Sequence, residues 1–245
     1  MLGVARSRRL ADMHLMIPNL TYEDRRRSLG RLALWWVETF SLIGRGGATG
    51  KPVTHSPEYI QFYLNAYALK PDGRRRFNRV SLWRPKGCNK SGLGNDLALF
   101  EAFGPCRFDH WAKPGETYTF LGQTYYYLPG EPVGRPVQRP EILCLATSED
   151  QSGNIFDSIY YNCTSGPLAQ LQGFGMEVTK PRIGLPEGGE IIPTTSGDAS
   201  KDGGLETFAL MDEVHLYTLP KHHSMYKTVQ RNLPKRSLDA DPWVL

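Results

Sequence analysis

A chain of 245 residues with 40% hydrophobic and 22% charged residues is long enough to bury a substantial core, and its composition excludes a disordered protein. Its 29 basic and 25 acidic residues leave a net charge of +4, which permits a nucleic-acid partner without implying one. There is no run of 18 apolar residues and no apolar core behind the basic N-terminus, so neither a membrane span nor a secretory signal is expected.

The first charge run, Arg25, Arg26 and Arg27 after Glu23 and Asp24, opens a predicted helix and reads as a solvated face. Over residues 28–43, Leu29, Leu32, Trp36, Phe40 and Ile43 recur at helical spacing, and an aromatic stripe of this kind belongs to a core. Residues 44–50 form a loop by composition. A second helix is predicted over 57–69, with Ser56 as N-cap and Pro57 in the first helical position. The second arginine run, Arg74 to Arg76, follows the turn Pro71-Asp72-Gly73. It reads as exposed turn charge, with contact to a phosphate backbone as the alternative.

Residues 80–93, VSLWRPKGCNKSGL, carry the densest chemical signal. A short apolar run (Val80, Ser81, Leu82, Trp83) enters a turn at Pro85 and Gly87. Lys90 and Ser91 then open a helix with Leu93, Leu97 and Phe100 on one face, ending near Gly104. A strand-loop-helix of this kind aims backbone N–H groups and the positive helix end at one point, and a Lys with a hydroxyl suits phosphate and Mg²⁺. The pattern GxxxxGK[ST] wants Gly where this chain has Arg84 and Asn89, and Asn is the best non-Gly occupant of a positive φ. By pattern alone the loop suits either a phosphate site or an ordinary polar strand-to-helix turn.

Further on, residues 116–128 (ETYTFLGQTYYYL) read as a β-hairpin with a cross-strand Tyr ladder, stacking of its aromatics on bases being the alternative, and 129–140 as a Pro- and Gly-rich connector. Residues 141–147 (EILCLAT) form an apolar run of the kind buried on both faces in a parallel sheet. Ser148 and Gln151 have capping-box spacing for a helix that carries Ile155 and Ile159. A second hairpin is predicted over 177–193 around Pro186-Glu187-Gly188-Gly189, and a mobile loop over 196–204. The run 207–211 (TFALM) ends in Asp212-Glu213, where open α/β sheets place their ligands.

The remaining chemistry-bearing residues attract little. His215 reads as a packing or hydrogen-bonding residue, and His222 and His223 have no ligand partners at metal spacing. Cys88, Cys106, Cys144 and Cys163 share no C-x-x-C spacing and read as reduced thiols of a cytosolic protein.

Taken together, the run RPKGCNKSGL, then EAFGPCRFDHW, GEPVGRP, LATSEDQSGNIFD, LPEGGEIIPTTSGDASKDGGLETFALMDEVHLY and VQRNLPKR resembles the large terminase subunit of tailed bacteriophages, particularly those of actinobacteria. The resemblance runs from about Pro57 to the last residue, in family order and spacing. It implies the ATPase motor of viral DNA packaging, which hydrolyses ATP with Mg²⁺ to translocate double-stranded DNA into a procapsid. The implied partners are DNA, the portal protein and the small terminase subunit, with a homo-oligomeric ring when docked, in the host-cell cytoplasm and with no membrane.

The implied fold is α/β, a P-loop NTPase of additional-strand, RecA-like type with a mostly parallel sheet flanked by helices. Residues 1–76 are expected as an N-terminal helical lead-in packed on the core, and 77–245 as the ATPase core with 116–128 as a hairpin insertion. Residue by residue, the resemblance implies that Arg84, Pro85, Lys86, Gly87, Cys88, Asn89, Lys90 and Ser91 form the nucleotide loop. Lys90 would hold the β and γ phosphates, Arg84 would be the basic residue at the head of the loop, Ser91 and Asp212 would hold Mg²⁺, and Glu213 would be the catalytic carboxylate.

The chain departs from the family at Asn89, where relatives carry Gly or a small residue. It departs again at Tyr59, which stands where relatives commonly carry a Gln resembling the adenine-reading Gln, a part that the nearby Gln61 is not expected to take over. It stops where relatives enter a nuclease domain, so only the ATPase portion is expected here. Lys201 is a candidate sensor or DNA contact. Two other readings share these features: a helicase-like DNA translocase, and a non-catalytic nucleotide- or DNA-binding assembly module.

Overall fold

The computed structural model describes residues 20–146, 149–195 and 204–245. The expected cap at Ser148, the loop over 196–203 and Lys201 lie outside the described residues.

Helix α1 (Tyr22–Arg26) opens on a capping box in which Thr21 and Asp24 each bond the other's backbone N–H. Helix α2 (Gly30–Phe40) buries Leu32, Trp36 and Phe40 of the predicted stripe, with Leu29 buried at its N-cap, while Ile43 lies beyond its end and is half-buried. It crosses α3 (Pro57–Ala66) at Gly30, where a Cβ would lie 2.6 Å from the Tyr63 carbonyl oxygen, so only Gly permits that approach. Ser56 caps α3 as expected, accepting from the Tyr59 N–H at 3.4 Å. The helix ends three residues before the predicted 69. Ala68 instead bridges Ser28, and the Leu69 N–H donates to the Arg27 carbonyl at 2.7 Å.

Helix α4 (Lys90–Phe103) follows, ending at Gly104 as predicted. Strand β1 (Arg107–Trp111) leads to the hairpin of β2 (Thr117–Phe120) and β3 (Gln123–Tyr126). Leu121 and Gly122 both take positive φ (44° and 79°), as a two-residue hairpin turn requires. Tyr118 and Tyr125 face each other across the pair, and both rings pack on Trp35 of α2, with centroids 6.1 and 5.3 Å away. The predicted Tyr ladder is therefore a packing surface. Residues 129–140 are more than a connector, because β4 (Pro132–Arg135) lies within them and pairs antiparallel with β1.

The main sheet is built from β5 (Glu141–Ala146), β6 (Glu177–Val178), β7 (Ile183–Gly184), β8 (Glu190–Thr195), β9 (Phe208–Met211) and β10 (Trp243–Val244). Its order is β10-β9-β5-β8-β7-β6, parallel from β10 to β8, with β7 and β6 added antiparallel. The predicted hairpin over 177–193 is thus the β7-β8 turn plus a third short strand. Strand β5 lies between β8 and β9 and is covered on both faces, which accounts for its nearly unbroken apolar run.

Alternation sorts the two faces. Ile142, Cys144, Phe208 and Leu210 join the larger core with α2, α4 and helix α5 (Glu149–Ser165), where Ile155 and Ile159 are buried as predicted. Leu145, Ala209, Met211 and Val244 face Met225, Val229 and Leu233, from helix α6 (Pro220–Asn232) and the turn after it. The architecture is mixed α/β with helices on both faces of a sheet that is parallel at its centre. Among the described residues, no helix is long and apolar enough to cross a membrane.

Two expectations need correction. The apolar run 80–83 does not form a full strand. It adds to the sheet edge through one parallel bridge, Arg79 to Val244, with the Val80 N–H donating to the Val244 carbonyl at 2.9 Å. Nor is the run Arg74 to Arg76 uniformly exposed turn charge. The Arg75 guanidinium is buried over the rings of Tyr67 (4.8 Å) and Trp243 (4.2 Å), and Arg76 bonds Asp24 at 2.6 Å.

A buried polar knot continues from Arg75. Tyr67 donates to Glu101 Oε1 at 2.8 Å, and Arg107 Nη1 lies 2.7 Å from Glu101 Oε2. Arg107 also donates to the carbonyls of Ala240 and Thr207. Burial works against the Arg107 charge, but the adjacent Glu101 carboxylate outweighs it and holds the guanidinium charged. The knot joins α4, β1 and β10 and so fixes the frame on which the 84–91 loop sits.

Candidate functional site

The 84–91 loop lies at the carboxyl end of the central strands and runs into the first two residues of α4, Lys90 and Ser91. Gly87 takes φ 86° and Asn89 takes φ 54°, the left-handed conformation for which Asn is the most tolerant residue with a side chain. No side chain caps α4 and no acid lies in its first turn, so no side-chain acceptor or negative charge from its own first turn occupies its positive end. Gly92 permits this shape, because a Cβ there would meet the Asn89 side chain at 2.1 Å.

Strand β9 delivers the other half. Asp212 follows its last residue, Met211, and donates its N–H to the Leu145 carbonyl at 3.1 Å, while Ser91 Oγ donates to Asp212 Oδ2 at 2.6 Å. The approach depends on Gly94, one turn into α4. A Cβ there would stand 2.7 Å from Leu210 Cδ1 of β9, so helix and strand pack more closely than a side chain would allow. Glu213 follows with φ 50°, its N–H donating to Asp212 Oδ1 at 2.9 Å, and its side chain is exposed.

The structure brings Lys90, Ser91, Asp212 and Glu213 to the carboxyl ends of the strands, as the sequence suggested. The Lys90 ammonium rests on the loop's own Pro85 carbonyl at 3.2 Å. Lys86 and Gly87 are exposed at the turn, and Cys88 is half-buried. Arg84 forms an ion pair with Glu58 of α3, which raises the pKa of its guanidinium.

Tyr59 holds the loop, since its hydroxyl donates to the Cys88 carbonyl. Burial raises the pKa of that phenol and keeps it a donor. Gln61 donates to Asn65 Oδ1 on its own helix at 2.8 Å. The contributions of Tyr59 and Glu58 were not visible in the sequence, because their partners lie 29 and 26 residues away with no local pattern to link them.

Outside this site, His215 is exposed rather than packed. His222 is buried beside Tyr217, with ring centroids 5.7 Å apart. All four cysteines are free, as expected. Among the described residues, no group of three His, Cys, Asp or Glu side chains gathers as a metal centre. The hydroxyl and carboxylate of Ser91 and Asp212 are hard oxygen donors of the kind that suit Mg²⁺ beside an anion held at the helix end.

The fold is similar to that of the HK97 bacteriophage large terminase. The match to that crystal structure has a TM-score of 0.59 at 16% identity, covering 89% of this chain and 37% of the other. In sequence, the chain is 27% identical over 184 residues to the Gene 13 protein of Mycobacterium phage L5, and 26% identical to the Gene 13 protein of Mycobacterium phage D29. Each alignment covers 73% of this chain and 28% of the relative, so the chain spans less than a third of their length. No protein-family model matches the chain.

Proposed function

We propose that this chain is the ATPase motor portion of a phage large terminase, a P-loop NTPase that hydrolyses Mg²⁺·ATP to translocate double-stranded DNA. The observation that carries the reading is the 2.6 Å bond between Ser91 and Asp212, which joins a glycine-containing loop at a helix N-terminus to a carboxylate at the end of a buried strand. The likeness in fold to a large terminase supports it.

In this reading the leading N–H groups of α4 and the Lys90 ammonium hold the β and γ phosphates. Lys90 exchanges the Pro85 carbonyl for a phosphate oxygen. Arg84, tied to Glu58, shapes the head of the loop, and Tyr59 fixes its Cys88 carbonyl. Ser91 and Asp212 are the ligands for Mg²⁺, which neutralises phosphate charge when bound. Glu213 orients and accepts a proton from the attacking water. The portal protein, a small terminase subunit and a ring of copies are the partners this reading expects.

Phosphate release from Mg²⁺·ATP tests it. The parent chain releases phosphate, and Glu213→Gln lowers the rate by about 10²- to 10⁴-fold, as for loss of a positioned general base. Release that is absent, or unchanged in the variant, contradicts the hydrolytic role.

A further inference from the structure

Positive charge in this chain is concentrated in two stretches that contain no acid, residues 73–95 and 214–238. Twelve of the 29 basic residues and none of the 25 acidic ones fall there, which leaves 17 basic against 25 acidic residues in the remainder. The first stretch contains the loop of the site and the second contains α6. More than a hundred residues apart in sequence, they meet at an open groove of about 350 Å³ lined by Arg79, Ser224, Lys227, Gln230 and Arg231.

Several cations of these stretches are already matched: Arg76 by Asp24, Arg84 by Glu58 and Arg236 by Asp239. Arg79, Lys227 and Arg231 are exposed, and among the described residues none of them makes an ion pair. Ser224, Lys227 and Arg231 stand at i, i+3 and i+7 on one face of α6, while Met225 and Val229 hold the opposite face in the core. The charged face is therefore fixed in direction by packing beneath it.

We infer that this groove binds the phosphate backbone of double-stranded DNA, independently of sequence. Every lining side chain is of a type that donates to phosphate oxygens: two Arg, one Lys, one Ser and one Gln. From Ser224 to Arg231 the helix advances about 10 Å, the axial rise of roughly three base-pair steps of duplex. An acidic protein partner would call for aromatic or apolar anchors at the centre, and a single strand for exposed rings on which bases stack. The lining contains neither.

The groove rests on the proposed function above, to which it adds the DNA-contacting face, but it is tested without nucleotide. The probe is a short fluorescein-labelled duplex of mixed sequence, titrated by anisotropy with the full chain at several salt concentrations. For the triple variant Arg79→Gln, Lys227→Gln, Arg231→Gln, affinity falls at least about tenfold at low salt. The slope of log affinity against log salt falls by about 0.9 for each lost contact. The charge-keeping pair Arg79→Lys with Arg231→Lys retains the slope. So does Lys180→Gln, which lies between β6 and β7 at the opposite edge of the sheet.

An unchanged slope in the triple variant overturns the inference. So does competition by polyglutamate equal to that by duplex, or tighter binding of single strands. Nucleotide binding measured on the same proteins separates the two ideas: groove-dependent DNA binding without ATP binding sinks the motor reading alone, and the converse sinks the groove alone.

Discussion

Ser91 Oγ and Asp212 Oδ2 lie 2.6 Å apart although 121 residues separate them in sequence. The bond depends on Gly94, which lets α4 settle against Leu210 of β9. Replacing Ser91 by Ala or Asp212 by Asn should weaken Mg²⁺ affinity in the presence of nucleotide by about 10- to 100-fold. Nucleotide binding without Mg²⁺ should stay close to the parent's. Titration of Mg²⁺ against a fluorescent ATP analogue reads both quantities, and a metal dependence that survives both substitutions would remove these residues from the site.

Gly94→Val should act at a distance from any ligand. The added side chain must displace Leu210, costing about 1–3 kcal/mol of stability by overpacking, and it should spread Ser91 from Asp212. Gly173→Ala, where a Cβ meets open space, should change stability by no more than about 0.5 kcal/mol. Urea unfolding midpoints compare the two variants directly.

The buried knot makes a sharper stability claim. Glu101→Gln removes the charge that faces Arg107 and lies near Arg75, leaving two buried guanidinium groups without it, at a cost of about 3–5 kcal/mol. Trp243→Ala should cost a similar amount, because it opens a cavity under Arg75 and against Phe208. Denaturant unfolding tests both, and a loss below about 1 kcal/mol in either would show that the knot is not structural.

His55 gives the fold a pH dependence. Burial works against its charged ring. Asp96 Oδ2 at 3.7 Å and Glu38 Oε1 at 3.1 Å outweigh that effect and raise its pKa. Its proton is bound more tightly in the folded chain than in the unfolded one. The resulting stabilisation is complete below the unfolded value of about 6.5 and is lost as pH rises through the raised folded value. The unfolding midpoint should therefore decline above about pH 6.5, and His55→Gln should flatten that decline. An identical pH profile in the variant would assign the dependence to another group.

Much of this was legible in the sequence where a local rule governs. The spacing of Leu32, Trp36 and Phe40 gave α2, Ser56-Pro57 gave the start of α3, and the apolar runs before Ser148 and Asp212 gave β5 and β9. Asn89 adopts the left-handed backbone for which its side chain suits it. The illegible parts depend on contacts across the chain. Arg75 looked like its neighbour Arg74 until Trp243, from the far end, covered it. Residues 80–83 looked like a strand, but their neighbour β10 is two residues long and pairs with them at a single bridge. Tyr59 looked like a missing Gln, and only the folded loop shows its hydroxyl on the Cys88 carbonyl.

On the proposed reading, the 84–91 loop binds the phosphates of a nucleotide through Lys90. Equilibrium titration of the intact chain with a fluorescent ATP analogue and Mg²⁺ tests it most directly. Binding should be saturable, and Lys90→Ala should weaken it by about 10- to 100-fold, the loss of a charge-assisted phosphate contact, with the unfolding midpoint unchanged. Absence of saturable binding, or equal affinity in the parent and Lys90→Ala, would contradict it.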